Sequence, residues 1–208
     1  MNIRDIAGRA PVIPIVVIED PAAAIPLARA LVEGGLPVIE VTLRTDAAVV
    51  AARAMIGQVP SVIIGLGTVT TRDHIAAALD IGARFIVSPG LSAELAQLAH
   101  RASLPYLPGI MTPSEVMTAQ SLGLTVLKFF PAEPAGGTAA LRALHGPFPD
   151  VAFCPTGGID AAKAPAYLAL PNVIAVGGSW LAPKAAIDAG DWRQITDLAR
   201  AARALRDR

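Results

Sequence analysis

A lysine lies within an apolar segment near the middle of the chain, where an ammonium group needs an explanation. The segment reads "TVLKFFPAE" (125–133), and Lys128 lies between Leu127 and Phe129. The chain contains only three lysines, and the other two lie in alanine- and proline-rich stretches that are typical of a surface. A buried, unpaired charge costs free energy. Lys128 therefore needs a partner, a route to water or a chemical role.

A glutamate occurs in a second segment of the same character, "VIEVTLR" (38–44). Because side chains alternate between the two faces of a strand, one face of this segment is apolar and the other carries Glu40, Thr42 and Arg44. The same alternation places Lys128 on the face opposite to Leu127 and Phe129. We expect Lys128 and Glu40 to project into one enclosed space from different strands.

Two interpretations of this lysine–glutamate pair follow from the residues alone. The first is a structural ion pair that fills the interior. The second is a reactive amine, since apolar surroundings favour the neutral form of an amine and a neutral amine attacks ketones. The pattern alone leaves both open.

The second half of the chain carries two glycine pairs, each directly after an expected strand. The first lies in "CPTGGID" and the second in "VGGSW". Glycine lets the backbone approach an anion closely, and loops after the last two strands of a (β/α)₈ barrel commonly bind phosphate. The two motifs predict a phosphate site that involves Gly157, Gly158, Gly178 and Ser179.

Short β-branched segments alternate with alanine-rich segments of helical spacing along the whole chain. The expected strands cover residues 12–18, 37–43, 62–69, 84–89, 105–110, 125–131, 151–157 and 173–178. Repeated strand–helix units favour parallel pairing. We therefore predict a single α/β domain over residues 1–208, a (β/α)₈ TIM barrel, with an open doubly wound sheet as the alternative. A helix at 3–10 would cap the barrel bottom, and a helix at 192–205 would close the chain.

Composition and charge exclude several classes of function. Lys+Arg and Asp+Glu are both 17, so nothing favours nucleic acid or an anionic membrane as a partner. The three histidines have no ligand spacing, and Cys154 is the only cysteine, so we expect no metal and no disulfide. "GLGTVT" lacks the third glycine of a dinucleotide fingerprint. The start of the chain suits a first strand better than a signal peptide, and we expect a cytoplasmic protein without a cofactor.

Taken together, six motifs resemble the 2-dehydro-3-deoxy-6-phosphogluconate (KDPG) aldolase and 4-hydroxy-2-oxoglutarate aldolase family. They are "EVTLRT", "GLGTV", "SPG", "KFFPAE", "FCPTGGI" and "GGSW", in this order. The resemblance implies a trimeric class I aldolase on a (β/α)₈ barrel. Its substrate would be the phosphorylated keto acid 2-dehydro-3-deoxy-6-phospho-D-gluconate, cleaved to pyruvate and D-glyceraldehyde 3-phosphate. The galactonate-derived epimer and 4-hydroxy-2-oxoglutarate are the alternative substrates.

The resemblance also implies a role for individual residues. Lys128 matches the Schiff-base lysine, and Glu40 matches the general acid/base. The remaining matches are Arg44 and Thr68 for the pyruvyl carboxylate, Pro89 and Phe130 for the pyruvyl pocket, Gly157, Gly158 and Ser179 for the phosphate, and Thr156 for the new stereocentre.

One position departs from the family pattern, since Leu66 stands where alanine is expected. If Thr68 points inward, alternation predicts that Leu66 also points inward, two residues deeper, where it would repack the barrel floor and affect substrate preference. Two further classes of function stay open: a non-catalytic barrel that binds phosphosugars, and a metal-dependent aldolase or epimerase.

Overall fold

The computed structural model describes residues 1–206 and shows a ring of parallel strands surrounded by helices; residues 207 and 208 lie outside the described part. The strands are β1 (Val12–Val16), β2 (Val38–Thr42), β3 (Ile63–Gly67), β4 (Phe85–Val87), β5 (Tyr106–Leu107), β6 (Gly109–Ile110), β7 (Val126–Phe129), β8 (Ala152–Pro155) and β9 (Val176–Gly178). Each expected strand is present with shorter bounds.

The fifth strand position is divided in two at Pro108. β5 pairs with β4, and β6 pairs with β7. Proline has no N–H to donate to a ladder, but the Pro108 carbonyl still accepts from the N–H of Lys128 at 2.8 Å. The two short strands therefore occupy one position of the ring.

The ring closes at its two remaining junctions. Hydrogen-bonded order runs β5-β4-β3-β2-β1-β9 on one side and β6-β7-β8 on the other. Parallel bridges Phe153↔Val173 and Thr156↔Gly177 join β8 to the segment of β9. The result is a (β/α)₈ barrel, as predicted, and not the open sheet that was the alternative.

The helices are α1 (Ile3–Ala7), α2 (Ala24–Glu33), α3 (Ala48–Gln58), α4 (Arg72–Asp80), α5 (Ala93–Arg101), α6 (Pro113–Ser121), α7 (Gly137–His145), α8 (Ala164–Leu168), α9 (Lys184–Asp188) and α10 (Trp192–Arg203). Side-chain caps fix several of their starts. Thr71 and Ser92 accept hydrogen bonds from the N–H groups of His74 and Leu95, which satisfies donors at the starts of α4 and α5.

Two apolar layers hold the barrel together. The larger lies between the strands and the helices. The smaller fills the barrel interior and contains Ile6, Ala7, Ile13, Val38, Phe85, Val87, Leu107, Val126, Ala152, Cys154 and Ala175. Because α1 contributes Ile6 and Ala7 to the interior, this short helix closes the bottom of the barrel, as expected from the sequence.

Strand alternation assigns most side chains to the predicted layer. Ile39 and Val41 pack in the outer layer, whereas Val38 lies in the interior. Leu127 and Phe129 are likewise in the outer layer, and Val126 is in the interior.

The prediction that Leu66 points inward is wrong. Leu66 is fully buried in the outer layer, between the strands and the helices. The inward positions of β3 belong to Gly65 and Gly67, where an added Cβ would lie 2.4 Å from the Phe85 ring and 2.2 Å from Glu40 Oε1. Thr68 has a φ of 61°, in the left-handed region, so the simple alternation of the strand does not continue through it.

Replacement of Leu66 by alanine therefore tests packing against the helices. We expect Leu66→Ala to lower the free energy of unfolding by about 2–5 kcal/mol, as for other buried leucines. Leu79→Ala is the matched control, because Leu79 is exposed on α4 and should change stability by less than about 0.5 kcal/mol. Urea unfolding measures both. A Leu66→Ala loss as small as that of the control would show that the outer layer does not depend on this side chain.

Candidate active site

Lys128 and Glu40 meet inside the barrel. Lys128 Nζ lies 3.2 Å from Glu40 Oε1, and the two side chains are only 8% and 4% exposed. β7 supplies the lysine and β2 the glutamate, from well-separated positions of the ring. The predicted pair is thus present, and each charge has the partner that a buried ion needs.

An aromatic ring and a glycine shape the space around this pair. The Lys128 ammonium lies 5.2 Å from the centroid of the Phe130 ring, within the range of a cation–π contact. Gly67 leaves room for the Glu40 carboxylate, because any Cβ there would overlap it. The sequence analysis did not assign Gly67 to the site. The signal was present in "GLG", where Gly65 and Gly67 are two residues apart and so occupy the same face of the strand.

Two residues that are expected to bind the substrate carboxylate, Arg44 and Thr68, lie just beyond the carboxyl ends of their strands. Arg44 is exposed, two residues beyond Thr42 at the end of β2. Thr42 is buried, and its Oγ1 donates to the Val16 carbonyl at 3.0 Å. Thr68 is half-buried directly after β3. Both residues thus follow the carboxyl ends of strands, where the active sites of barrel enzymes lie.

Hydrogen bonds hold the loop that carries Pro89. Ser88 Oγ donates to the Gly90 carbonyl at 2.5 Å and lies 2.6 Å from the Tyr106 hydroxyl. Gly109 permits a close approach, since a Cβ there would lie 2.1 Å from the Pro89 carbonyl oxygen. Pro89 itself is exposed. These contacts therefore hold the residues on both sides of Pro89, which itself stays accessible to solvent.

The first glycine pair forms a turn after β8. Gly157 and Gly158 have φ values of 106° and 77°, a region that side-chain-bearing residues rarely adopt. Thr156 is buried just before them, and a Cβ on Gly177 would lie 2.2 Å from its Oγ1. Gly177 thus makes room for Thr156 between the last two strand positions.

Gly178 and Ser179 of the second glycine motif lie in different environments. A Cβ on Gly178 would lie 2.0 Å from the Trp180 ring, and Trp180 packs against the outer layer. Packing alone therefore requires glycine at 178. Ser179 is exposed and lines a cavity of about 700 Å³ that Ile15, Glu19 and Lys184 also border.

Cys154 lies beside Lys128, because the two residues are register partners between β7 and β8. Burial raises the pKa of the Cys154 thiol to about 12, although the nearby Lys128 ammonium opposes this effect. A thiol with this pKa is protonated at neutral pH and is a poor nucleophile. Of the two neighbouring groups, the amine is thus the better candidate for covalent chemistry.

Neither a cluster of metal ligands nor a membrane-spanning helix occurs within residues 1–206. Within residues 1–206, no group of three or more His, Cys, Asp or Glu side chains is arranged to hold a metal ion. None of the helices in the described part of the chain is long and apolar enough to cross a membrane.

The fold and the buried pair define a (β/α)₈-barrel protein with an enclosed amine–carboxylate site. Residues 3–198 match the model of the KDPG and KHG aldolase family. The chain is also 50% identical over 192 residues to the KHG/KDPG aldolase of Escherichia coli K12, covering 92% of this chain and 90% of the relative. The chain therefore belongs to the KDPG and KHG aldolase family and is an aldolase, a member of the lyase class. The resemblance of the six motifs is confirmed.

Other relatives are of the same kind. The 2-dehydro-3-deoxy-phosphogluconate aldolase of Pseudoalteromonas atlantica is 48% identical over 199 residues, covering 96% of this chain and 93% of the relative. Among solved structures, KDPG aldolase from Legionella pneumophila, with pyruvate captured at low pH as a covalent carbinolamine intermediate, is 44% identical. It superposes with a TM-score of 0.94 and covers 96% of this chain and 97% of its own.

The state of the Cys154 thiol gives a prediction. With a pKa of about 12, roughly one thiol in ten thousand is ionised at pH 8, and the ionised fraction rises about tenfold with each further pH unit until it nears the pKa. We expect iodoacetamide at pH 8 to leave folded protein unlabelled and to label it rapidly in guanidinium chloride. Mass spectrometry measures the labelling. Equal labelling rates with and without denaturant would contradict the buried, protonated thiol.

Proposed function

We propose that this protein is a class I aldolase that cleaves 2-dehydro-3-deoxy-6-phospho-D-gluconate to pyruvate and D-glyceraldehyde 3-phosphate. The observation that carries the proposal is the enclosed contact of 3.2 Å between Lys128 Nζ and Glu40 Oε1. It gives a nucleophilic amine a proton acceptor within hydrogen-bond reach, which is the geometry that a covalent catalyst needs.

The first half of the reaction forms the imine. Glu40 accepts a proton from the Lys128 ammonium, and the neutral amine attacks the C2 ketone. Glu40 returns this proton to the oxygen of the adduct, which gives the carbinolamine. It then accepts a proton from the carbinolamine nitrogen and donates it to the hydroxyl group, which leaves as water. The product is a protonated imine between Lys128 and C2, and the carboxylate of Glu40 is again free to accept a proton.

The second half breaks the carbon–carbon bond. Glu40, directly or through a water molecule, accepts the proton of the C4 hydroxyl as the C3–C4 bond breaks. The electrons of that bond move into the imine and give an enamine, while C4 becomes the aldehyde. Protonation at C3 and hydrolysis release pyruvate and regenerate Lys128. A well-placed proton shuttle of this kind typically contributes about 10²–10⁴-fold in rate.

Four residues are proposed to bind the pyruvyl end of the substrate. Arg44 holds the C1 carboxylate through two parallel N–H contacts, with help from Thr68. Pro89 and Phe130 line the pocket around the ketone. The support is position, since Thr68 directly follows β3, Arg44 lies two residues beyond the end of β2, and Phe130 lies over the Lys128 ammonium.

The glycine motifs are proposed to bind the phosphate end. Gly157, Gly158 and Gly178 would contribute backbone donors, and the exposed Ser179 would contribute its hydroxyl. Thr156, buried between the last two strand positions, would lie near C4 and favour one configuration there. Binding at both ends orients the bond that breaks.

One alternative within the family has specific support. The Escherichia coli relative is named for both KHG and KDPG activity, so 4-hydroxy-2-oxoglutarate is the second candidate substrate. The galactonate-derived epimer of the phosphorylated substrate is the third, and it differs in configuration at C4. The position of Thr156 makes this residue the proposed basis for discrimination.

The protein is proposed to be a single-domain homotrimer in the cytoplasm. One domain over residues 1–208 would form a homotrimer, which accords with exposed apolar side chains at Val17, Val50, Met111 and Met117. The compartment is the cytoplasm, because charged phosphate esters do not cross a bilayer unaided. Sedimentation equilibrium tests the assembly, and a mass other than three chains would contradict it.

A substrate panel coupled to pyruvate detection tests the function. We expect the phosphorylated gluconate derivative to have the highest kcat/KM, above its galactonate epimer and above 4-hydroxy-2-oxoglutarate. Activity should survive EDTA, because Lys128 provides the electron sink. Release of no pyruvate from any of the three would favour a non-catalytic binding barrel, and loss of activity on chelation would favour a metal-dependent enzyme.

The acid/base role of Glu40 gives a further prediction. We expect Glu40→Gln to fold and to reduce kcat by about 10²-fold or more, because an amide of nearly the same shape cannot accept and return protons. Glu94→Gln is the matched control, since Glu94 lies on the surface and pairs with exposed Arg72; its kcat should match the wild type. Near-normal turnover by folded Glu40→Gln would place the proton shuttle elsewhere.

A further inference from the structure

Glu133 ends the "KFFPAE" motif, yet it has no role in the chemistry described above. Its carboxylate joins two side chains that follow the first glycine pair. Glu133 Oε1 accepts from the Tyr167 hydroxyl, and Oε2 lies 2.9 Å from Lys163 Nζ. Tyr167 belongs to α8 and is only 1% exposed. We call Glu133, Tyr167 and Lys163 the Glu133 cluster.

The N–H groups of Ala132 and Glu133 and the ammonium of Lys163 hold three consecutive carbonyls of the glycine loop. The N–H of Ala132 donates to the Thr156 carbonyl at 2.7 Å, and the N–H of Glu133 donates to the Gly157 carbonyl at 3.0 Å. Lys163 Nζ donates to the Gly158 carbonyl at 2.9 Å. Two of these three hydrogen bonds come from residues directly after β7, the strand that carries Lys128. That segment therefore holds the loop after β8 in place.

Fixing these carbonyls also fixes the next three N–H groups. In a planar trans peptide the C=O and the following N–H point in opposite directions. The N–H groups of Gly157, Gly158 and Ile159 consequently point away from the Glu133 cluster. None of the hydrogen bonds described for residues 1–206 uses these three donors. They are thus available to an anion on the other side of the loop.

Steric fit adds to the hydrogen bonds. A Cβ on Gly158 would lie 2.8 Å from Glu133 Cβ and Cγ, and a Cβ on Gly157 would lie 3.2 Å from Pro131 Cα. The loop therefore rests directly on the chain after β7, and small residues are needed at both positions for this close approach.

The charges within the cluster are balanced. Hydrogen bonds from Tyr167 and then from Lys163 lower the pKa of the Glu133 carboxyl, which is therefore ionised at neutral pH. The Lys163 ammonium neutralises it at 2.9 Å. Within the Glu133 cluster, the carboxylate that underlies the loop is thus paired with a cation.

We propose that Glu133, Tyr167 and Lys163 are positioning residues that orient the N–H groups of the glycine loop toward the phosphate of the substrate. The inference rests on the proposed function and deepens it, since none of the three residues touches the reacting atoms. It links phosphate recognition to the same segment that carries the reactive lysine.

Single substitutions in the cluster test the proposal. Tyr167→Phe and Glu133→Gln each alter one hydrogen-bonding group, and Lys163→Met removes a charge and its bond to Gly158. We expect kcat/KM for the phosphorylated substrate to fall about tenfold, the effect of one lost bond to a charged group. kcat/KM for 4-hydroxy-2-oxoglutarate, which carries no phosphate, should change less than about twofold, so the ratio between the two substrates should shift about tenfold.

Two controls accompany these variants. Arg53→Met removes an exposed ion pair with Asp80 between α3 and α4, far in sequence from the loop, and should leave both substrates unaffected. Lys163→Arg keeps a positive donor and should recover most of the affinity lost in Lys163→Met. Thermal unfolding of each variant separates loop positioning from a general loss of stability.

The outcomes are distinct. A wild-type enzyme that cleaves neither substrate would overturn the proposed function and this inference with it. A wild type that cleaves both, with variants in which the two substrates lose activity equally or not at all, would overturn the inference alone. If Glu133→Gln does not fold, Tyr167→Phe and Lys163→Met decide the question by the same ratio.

Discussion

The rest of the structure depends on keeping one lysine and one glutamate together inside a barrel. Removing two charges from water costs several kcal/mol for each ion unless they pair well. The contact of 3.2 Å between Lys128 Nζ and Glu40 Oε1 offsets this desolvation cost. Gly67 leaves room for the carboxylate, and Phe130 covers the ammonium. The smaller apolar layer fills the rest of the interior and includes Ile6 and Ala7 of α1, which is consistent with an opening of the site at the carboxyl ends of the strands.

A single stretch of chain connects the two ends of the proposed site. β7 carries Lys128, and the residues directly after it hold the loop of Gly157 and Gly158 through hydrogen bonds of 2.7 and 3.0 Å. The position of the loop that is proposed to bind the phosphate is thereby tied to the position of the amine. Such coupling suits a reaction in which binding energy at a remote phosphate orients the bond that breaks.

The alternation of side chains along a strand was the basis for predicting the Lys128–Glu40 pair from the sequence. It placed Lys128 and Glu40 on inward faces because the two-residue period of a strand is a local property. The prediction for Leu66 was wrong because Thr68 adopts a left-handed φ of 61°, and the period was extended through it. The division at Pro108, the packing of Gly178 against Trp180 and the contacts of Glu133 depend on residues brought together only by folding, so no local pattern could reveal them.

Reductive trapping of pyruvate tests the central claim most directly. Borohydride reduces an imine to a stable secondary amine, so incubation with pyruvate should leave one pyruvate-derived adduct, and peptide mass mapping should place it on Lys128. Lys163 and Lys184 provide internal controls, because both are exposed and ion-paired, and Lys128→Met should show no adduct. An adduct on either control lysine, or no adduct in the wild type, would contradict the claim that the buried pair forms the imine.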